Sequence, residues 1–287
     1  MRAATKLADD PENDTPLPLV IWHGLGDNYA AEGLQSVGEL AEAANPGTFV
    51  YYVRMDEQAS ADRTATFWGN VTTQIEKVCA DLAAHPILST APAIDAVGFS
   101  QGGHLVTFGS QHNGIVDYKA CGATDWLCKG AMALLHGNTF SSYVQGRLVP
   151  AQYFRDPTDL DRYLEASNFL ADINNERVLK NKTYAENVAN LENFVMYMFA
   201  DDTTVLPKET AWFEEVNGTE STPLRARKLY SEDWIGLREL DRKGGLKFET
   251  TPGDHMQLSE KVLNETFTEY FGPYGKKFRK DETMGEL

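Results

Sequence analysis

The sequence predicts an α/β protein with a mostly parallel central sheet, and three observations support this. Short apolar runs rich in β-branched and aromatic residues alternate with longer segments of helical spacing, which is typical of parallel strands joined by helices. Hydrophobic residues make up 42% of the 287 residues and charged residues 24%, a balance that permits a large core. The chain has no apolar run of about 18 residues, so no membrane-spanning helix is expected.

The predicted elements follow one another in a regular order. The continuous apolar run at 17–22 is typical of a buried parallel strand. The run at 49–53 is rich in aromatic and β-branched residues, and the helical patterns before and after it end at prolines. We predict strands at 17–22, 49–53, 94–99, 194–199 and 246–250, and helices at 30–44, 67–84, 234–240 and 259–271.

The segment 115–190 interrupts this alternation. It is helical in pattern, polar and rich in aromatic residues, so we interpret it as a cap inserted over the C-terminal edge of the sheet. The core is then formed by 17–114 and 191–272. The terminal segments 1–16 and 273–287 are expected to be tails.

The charge and the cysteines limit the environment. A formal net charge of −16 repels phosphate backbones, so a nucleic acid partner is not expected. Cys121 and Cys128 enclose six residues, and they are either two reduced thiols or a disulfide that contributes roughly 2–3 kcal/mol. Cys79 is expected to be a buried helical thiol.

Four Asn-x-Ser/Thr sequons predict N-glycosylation: Asn70, Asn181, Asn217 and Asn264. The N-terminus has no apolar leader, so the chain is mature, incomplete or cytosolic. The sequons and the cysteine pair favour the first two interpretations.

A nucleophile elbow is predicted directly after the third strand. Residues 98–102 read Gly-Phe-Ser-Gln-Gly, and small residues two before and two after Ser100 allow the sharp turn that exposes its hydroxyl. The N–H of Gln101 would then bind an oxyanion. The alternative is a glycine-rich turn with an incidental serine.

The general base and its acid are expected downstream of the serine. Among six histidines, His255 follows the last predicted strand, which brings it to the same sheet edge as Ser100. Asp201 and Asp202 follow the strand at 194–199, and spacing alone does not distinguish them. The carboxylate would fix the imidazole tautomer.

The loop at 23–27, His-Gly-Leu-Gly-Asp, follows the first strand. It can turn a second backbone N–H toward the serine, and Leu25 is the candidate oxyanion donor. The histidines lack metal-ligand spacing, and the glycines do not form a dinucleotide fingerprint. No metal and no cofactor are therefore expected.

Four segments together resemble the palmitoyl-protein thioesterases: LVIWHGLGD (19–27), GFSQGG (98–103), FLADINNER (169–177) and GDHMQLS (253–259). The similarity covers about 18–272. It implies an α/β-hydrolase fold, the triad Ser100, Asp202 and His255, oxyanion donors at Leu25 and Gln101, and a disulfide between Cys121 and Cys128. It also implies a lysosomal, vacuolar or secreted enzyme with S-palmitoylated proteins or peptides as substrates, and an apolar groove beneath the cap.

One departure from the family concerns the helix after Ser100, which is missing or shortened. The segment 105–109 resembles the family's next strand, so roughly a dozen or more residues are absent. Parallel neighbours need a long crossover, and we therefore expect that 94–99 and 105–109 cannot pair as parallel neighbours. Two other functions stay open, namely a general lipid or carboxyl esterase and a catalytically impaired hydrolase-fold binding protein.

Overall fold

A computed structural model describes residues 14–102, 105–117, 129–130, 133, 135 and 138–276. Eight strands lie in these segments: β1 (Leu19–Trp22), β2 (Val50–Tyr52), β3 (Asp95–Phe99), β4 (Val106–Phe108), β5 (Phe194–Phe199), β6 (Glu215–Asn217), β7 (Glu220–Thr222) and β8 (Leu246–Thr251). Six of them form a wholly parallel sheet in the order β2-β1-β3-β4-β5-β8. The predicted α/β class is confirmed, and the chain also has a small antiparallel hairpin, β6-β7, that the sequence did not predict.

The helices of the described segments are α1 (Glu32–Ala44), α2 (Ala59–Ala65), α3 (Val71–Ala84), α4 (Ser142–Gln145), α5 (Val149–Gln152), α6 (Leu160–Ala166), α7 (Leu170–Ile173), α8 (Lys182–Ala189), α9 (Lys228–Ser231), α10 (Leu237–Arg242) and α11 (Glu260–Tyr270). Short 3-10 turns occupy Lys208–Trp212 and Leu224–Ala226. The longest described helix is α3, with 14 residues. None of these helices is long and apolar enough to cross a membrane.

Two predicted helix starts were wrong for local reasons. The helix expected from Phe67 begins at Val71, because the Asn70 side chain accepts from the Thr73 N–H at 3.1 Å and caps it. The helix expected from Trp234 begins three residues later, after Gly236 in a left-handed conformation at φ 86°. The helix α2, which precedes the Asn70 cap, was not predicted.

One face of the sheet is fully covered. Alternate side chains of the central strands point to this face, where α1 and α11 pack over them. The resulting core is a single cluster that includes Ile21, Val97, Phe99, Phe108, Val195, Phe199 and Phe267. Since these residues are almost wholly buried, this face anchors the fold.

The opposite face carries two separate core clusters. Towards β2, Val20 and Ala96 pack with Val78 of α3. Towards β8, Met196 packs with Leu237 and with other residues of and around α10. The two clusters share no residue.

The connection from β3 to β4 corrects one expectation. The two strands pair in parallel, with Val97 opposite Val106 and Phe99 opposite Phe108. Only six residues separate the end of β3 from the start of β4, which is too few for the helix that the family resemblance implies. The expectation that these strands could not be parallel neighbours was wrong, because both are short and only three residue pairs match.

The region between β4 and β5 contains α4 to α8, in line with the helical pattern expected there. A buried charge network joins it to the rest of the chain. Arg155 lies 3.0 Å from Glu176 and 2.6 Å from Glu215 of β6, and the Tyr163 hydroxyl donates to Glu176 at 2.8 Å. Because ion pairs of this burial lose their compensation when separated, we infer that the network fixes this region against the hairpin.

Of the three cysteines, one lies among the described residues. Cys121 and Cys128 lie outside the described residues. Cys79 lies on α3 and is exposed, so the prediction of a buried thiol was wrong. Val78 points to the core, and the next residue lies about 100° further around the helix, which turns Cys79 toward solvent.

Candidate active site

Ser100 occupies a strained turn at the C-terminal end of β3. Its φ is +55°, a left-handed value that non-glycine residues adopt at a cost. Its N–H donates to the Phe108 carbonyl of β4 at 2.9 Å. Ser100 is 8% exposed, so the hydroxyl lies at the sheet edge with little contact to bulk water.

Two glycines explain why the elbow needs small neighbours. A Cβ on Gly102 would lie 2.7 Å from the Trp22 carbonyl oxygen, and a Cβ on Gly24 would lie 3.0 Å from the Cβ of Ser100. Both distances leave no space for a side chain. The elbow and the loop after β1 are therefore packed directly against each other.

The aspartate and histidine that were expected at this edge are in contact. Asp202, after β5, places Oδ2 2.8 Å from His255 Nδ1, and its Oδ1 accepts from the N–H groups of Thr204 and Val205 at 2.8 and 2.9 Å. Asp202 is 7% exposed. Asp201 is exposed and uses its N–H to bind the Gly253 carbonyl, so the geometry distinguishes the two aspartates that spacing did not.

Ser100 follows β3 and His255 follows β8, so both lie at the C-terminal edge of the parallel sheet. Gly109 follows β4, a strand that lies between β3 and β8 in the sheet. A Cβ there would lie 3.0 Å from His255 Cε1 and 2.8 Å from the Phe199 ring. The missing side chain at Gly109 therefore leaves the space in which the imidazole ring lies.

The motif around His255 has a structural explanation that sequence reasoning missed. Asp254 accepts the His255 N–H at 2.7 Å and the Thr203 N–H at 2.8 Å, so it joins the loop of His255 to the loop that carries Asp202. Its own N–H donates to Gln257 Oε1 at 3.0 Å, and Gly253 makes the turn at φ +98°. Asp254 is a positioning residue for both loops.

The loop with Leu25 is braced from α2. Asp62, fully buried, lies 3.0 Å from His23 Nε2 and accepts the N–H groups of Tyr29 and Met55. Burial alone would raise the pKa of Asp62, but these contacts outweigh it and hold the pKa below its ordinary value. Asp62 was not predicted, because α2 itself was not predicted.

The two candidate oxyanion donors differ in exposure. Leu25 is 37% exposed, while Gln101 is half-buried at the elbow. Among the described residues, neither backbone N–H has a hydrogen-bond acceptor, so both are available to a ligand.

Tyr153 contacts the elbow from the region above the sheet. Its hydroxyl donates to the carbonyl oxygen of Gln101 at 3.0 Å. Burial raises the pKa of Tyr153 above its ordinary value, so the hydroxyl stays protonated and keeps donating. In an intact helix after Ser100, a backbone N–H one turn on would bind this carbonyl. The Tyr153 hydroxyl takes that place.

A cavity of about 630 Å³ opens beside Ser100. Its lining includes Ala96 of β3, Leu105 before β4, and residues of α3 and α8, and we call it the sheet trough. Its lining is mainly apolar and includes Ile75, Ala96, Leu105, Tyr153, Val188, Leu191 and Phe194. Its polar lining includes Ser100, Gln101, Ser110, Gln111 and His112.

Two further histidines of the described segments, His112 and His85, have other partners than Asp202. His112 lines the trough, stacks on Phe213 at 4.8 Å and contacts Thr107 through Nε2 at 3.0 Å. Burial lowers the pKa of His112 to about 3. His85 is half-buried beside Phe49. His104 and His136 lie outside the described residues.

The other predicted site residues stand apart from this edge. Asn181, Asn217 and Asn264 are exposed, and Asn70 is half-buried at the start of α3. No group of three or more acidic, histidine or cysteine side chains suited to a metal occurs in the part of the chain that the structure describes.

Comparison with known proteins identifies the family of the chain. The sequence profile for palmitoyl protein thioesterase matches residues 18–255. The chain belongs to this family. A palmitoyl-protein thioesterase 1 of Caenorhabditis elegans is 33% identical over 278 residues, 89% of this chain and 92% of the relative. A palmitoyl-protein thioesterase 3 of Dictyostelium discoideum is 32% identical over 90% of this chain and 91% of its own length.

A more distant relative carries a compartment in its name. The human lysosomal thioesterase is 26% identical over 257 residues, 83% of this chain and 82% of its own length. Membership of the palmitoyl protein thioesterase family makes this chain a thioesterase with an α/β-hydrolase fold.

Proposed function

We propose that the chain hydrolyses long-chain acyl thioesters on cysteines of proteins or peptides, with Ser100 as nucleophile, His255 as general base and Asp202 as its acid partner. The observation that carries the proposal is the 2.8 Å contact between Asp202 and His255 at the edge where Ser100 turns out of β3. Family membership supports the thioester as the bond that is cleaved.

The first half-reaction transfers the acyl group to the enzyme. The Ser100 oxygen attacks the thioester carbonyl carbon while His255 Nε2 accepts the hydroxyl proton. The N–H groups of Leu25 and Gln101 receive the negative charge on the carbonyl oxygen. The carbon–sulfur bond then breaks, His255 returns its proton to the sulfur, and the cysteine thiol leaves.

Water completes the cycle. It attacks the acyl carbon of the Ser100 ester while His255 takes a proton from it, and collapse of the second intermediate releases the fatty acid and restores the Ser100 hydroxyl. Asp202 stabilises the imidazolium in both steps. Its three hydrogen-bond partners hold that carboxylate in one orientation.

The nucleophile is tested with Ser100→Ala. We expect loss of all measurable palmitoyl-thioester turnover and of labelling by a fluorophosphonate probe. Ser110→Ala is the matched control, because Ser110 is buried at the same sheet edge but follows β4; it should keep the probe label. Full turnover by Ser100→Ala would disprove the assignment.

The thioester preference is tested with matched substrates. The value of kcat/KM is measured for a palmitoyl thioester, for its oxygen ester and for a butyryl thioester. Preference for the palmitoyl thioester supports the proposal, and equal or better turnover of the oxygen esters would instead identify a general lipid or carboxyl esterase.

The short β3–β4 connection favours a second candidate, a hydrolase-fold protein that binds acyl groups without turnover. Six residues leave no space for the helix whose N-terminal dipole would face the oxyanion. Folded protein that binds palmitate but takes no fluorophosphonate label would support this candidate over the first.

We also propose a lysosomal, vacuolar or secreted location, with glycans at Asn70, Asn181, Asn217 and Asn264 and a disulfide between Cys121 and Cys128. The name of the human relative supports the lysosome, and three of the four asparagines are accessible. Glycosidase treatment of protein from its native host should increase its electrophoretic mobility. Unchanged mobility together with cytosolic fractionation would contradict this proposal.

A further inference from the structure

Thr66 contacts both loops that carry the candidate oxyanion donors. It follows α2 directly and is 4% exposed. Its Oγ1 accepts the N–H of Gly26, the neighbour of Leu25, at 2.9 Å. Its carbonyl oxygen accepts from Gln101 Nε2 at 3.4 Å, near the outer limit of a hydrogen bond. One buried residue therefore joins the loop after β1 to the nucleophile elbow.

We propose that Thr66 is a positioning residue for the oxyanion hole, which holds the loop of Leu25 and the side chain of Gln101 in register with each other. The inference rests on the proposed thioester hydrolysis and deepens it, because it names the group that fixes both donors before the substrate binds. Thr66 acts through Gly26 and Gln101, not on the reacting atoms.

The contacts of Gly26 explain why the Leu25 N–H is the one left for a ligand. Gly26 turns the chain at a left-handed φ of +80°. Its N–H binds Thr66 Oγ1, and its carbonyl oxygen accepts from Arg63 Nε at 2.8 Å. Both peptide groups that flank the Cα of Gly26 are therefore held from α2 and its C-terminal cap, which fixes the direction of the adjoining Leu25 peptide.

The Thr66 hydroxyl can serve Gly26 only as an acceptor. Its hydrogen is donated to the Arg63 carbonyl oxygen at 2.7 Å, and a hydroxyl has one hydrogen and two lone pairs. Removal of this oxygen would leave the Gly26 N–H without its partner. The loop would then turn that N–H toward another acceptor, and the Leu25 N–H would move with it.

The position of the donors matters mainly in the transition state. Donors that already point at the developing negative charge need no rearrangement during the reaction. A displacement on the order of 1 Å can lower the rate about hundredfold. The substrate in its ground state carries no such charge, so a displaced donor should lower kcat and leave KM almost unchanged.

Thr66 is also the C-terminal cap of α2, and a purely structural role predicts a different result. Loss of a cap weakens the helix, which lowers the melting temperature of the protein. It does not change the turnover of those molecules that stay folded. The kinetic constants of folded protein therefore distinguish the positioning role from the structural role.

The test compares four variants. Thr66→Val keeps the shape of the side chain but removes the acceptor, Thr66→Ala removes it with a smaller side chain, and Thr66→Ser keeps the hydroxyl. Thr64→Val is the matched control, because Thr64 is exposed on α2 and its hydroxyl donates to the Ser60 carbonyl oxygen. The measurement is kcat and KM for a palmitoyl thioester, with kcat expressed per site that a fluorophosphonate labels at completion.

We expect kcat per labelled site to fall about tenfold or more in Thr66→Val and Thr66→Ala, with KM little changed. Thr66→Ser and Thr64→Val should keep the wild-type value. Inhibition by a palmityl trifluoromethyl ketone, whose adduct with Ser100 carries a negative oxygen, should weaken by the same factor as kcat/KM. Unchanged kcat in Thr66→Val and Thr66→Ala would overturn the proposal. So would an equal fall in Thr66→Ser, because the methyl group would then be responsible.

Hydrogen exchange separates this inference from the proposed reaction. The amides of residues 23–28 should exchange faster in Thr66→Val than in the wild-type chain, and at the wild-type rate in Thr64→Val. If the wild-type chain neither hydrolyses the thioester nor takes the label, the proposed function fails, and the exchange result alone decides whether Thr66 holds the loop. Equal exchange in the wild-type chain and Thr66→Val would refute the positioning role.

Discussion

The two faces of the central sheet bury their apolar side chains in different ways. On the covered face, α1 and α11 meet the sheet in one continuous cluster. On the trough face, two clusters stand apart with a cavity of about 630 Å³ between them. The covered face therefore contributes mainly to stability, whereas the trough face is less densely packed next to the candidate nucleophile.

The two faces should differ most in how much the free energy of unfolding falls when a buried aromatic ring is removed. Phe267→Ala removes a fully buried ring from the covered face and should lower the free energy of unfolding by about 3–5 kcal/mol. Phe194→Ala removes a ring from the trough face that already borders the cavity, so we expect a smaller loss. Urea unfolding of both variants measures the difference, and equal losses would contradict the contrast between the faces.

Acid should weaken the trough face through His112. Burial places its pKa at about 3 in the folded state, below the ordinary 6.5, so its stabilising effect is present above pH 6.5 and is lost as the pH falls toward 3. At pH 5 the expected loss is about 2 kcal/mol. Urea unfolding at pH 7 and pH 5 should show a smaller drop in His112→Gln. An identical drop would exclude this histidine as the cause.

The elbow on the trough face depends on Tyr153, in place of a helix. Tyr153→Phe leaves the Gln101 carbonyl without its donor, a loss of about 1–3 kcal/mol. We expect kcat and the rate of fluorophosphonate labelling to fall about tenfold with KM little changed. Tyr163→Phe is the control, since that hydroxyl donates to Glu176. It should lower the melting temperature without lowering kcat, and the reverse pattern would refute the positioning role.

The smallest effect is expected from Asp95 on the covered face. Burial raises the pKa of Asp95 to about 7, against partial compensation by the Gly272 N–H and Lys276. Its stabilising effect is therefore present below the ordinary 3.8 and is lost as the pH rises through about 7. Between pH 8 and pH 5 the gain is about 1 kcal/mol after allowance for solvent screening. Asp95→Asn should remove this gain, which thermal unfolding at the two pH values would detect.

The parts of the site that follow strands were predictable from the sequence. Ser100, Asp202 and His255 follow β3, β5 and β8 within four residues, and parallel strands bring their C-terminal ends to one edge. Asp62 and Tyr153 were not predictable. Each acts on a loop that is distant in sequence, 39 positions between Asp62 and His23 and 52 between Tyr153 and Gln101, and no local pattern encodes such contacts.

The trough was not predictable either. The sequence predicts a short connection after Ser100, but whether the neighbouring strands separate or pair depends on tertiary packing. The expectation that β3 and β4 could not be parallel neighbours relied on the usual length of a crossover. The structure shows that a parallel ladder of three residue pairs can form across a six-residue connection.

That connection also bears on how the chain folds. Val97 and its partner Val106 are nine positions apart, whereas Leu19 and its partner Asp95 in the adjacent pair are 76 apart. Closing a shorter loop loses less chain entropy, and low sequence separation favours rapid folding. The middle of the sheet should therefore be the folding nucleus, onto which β1 and β5 add later.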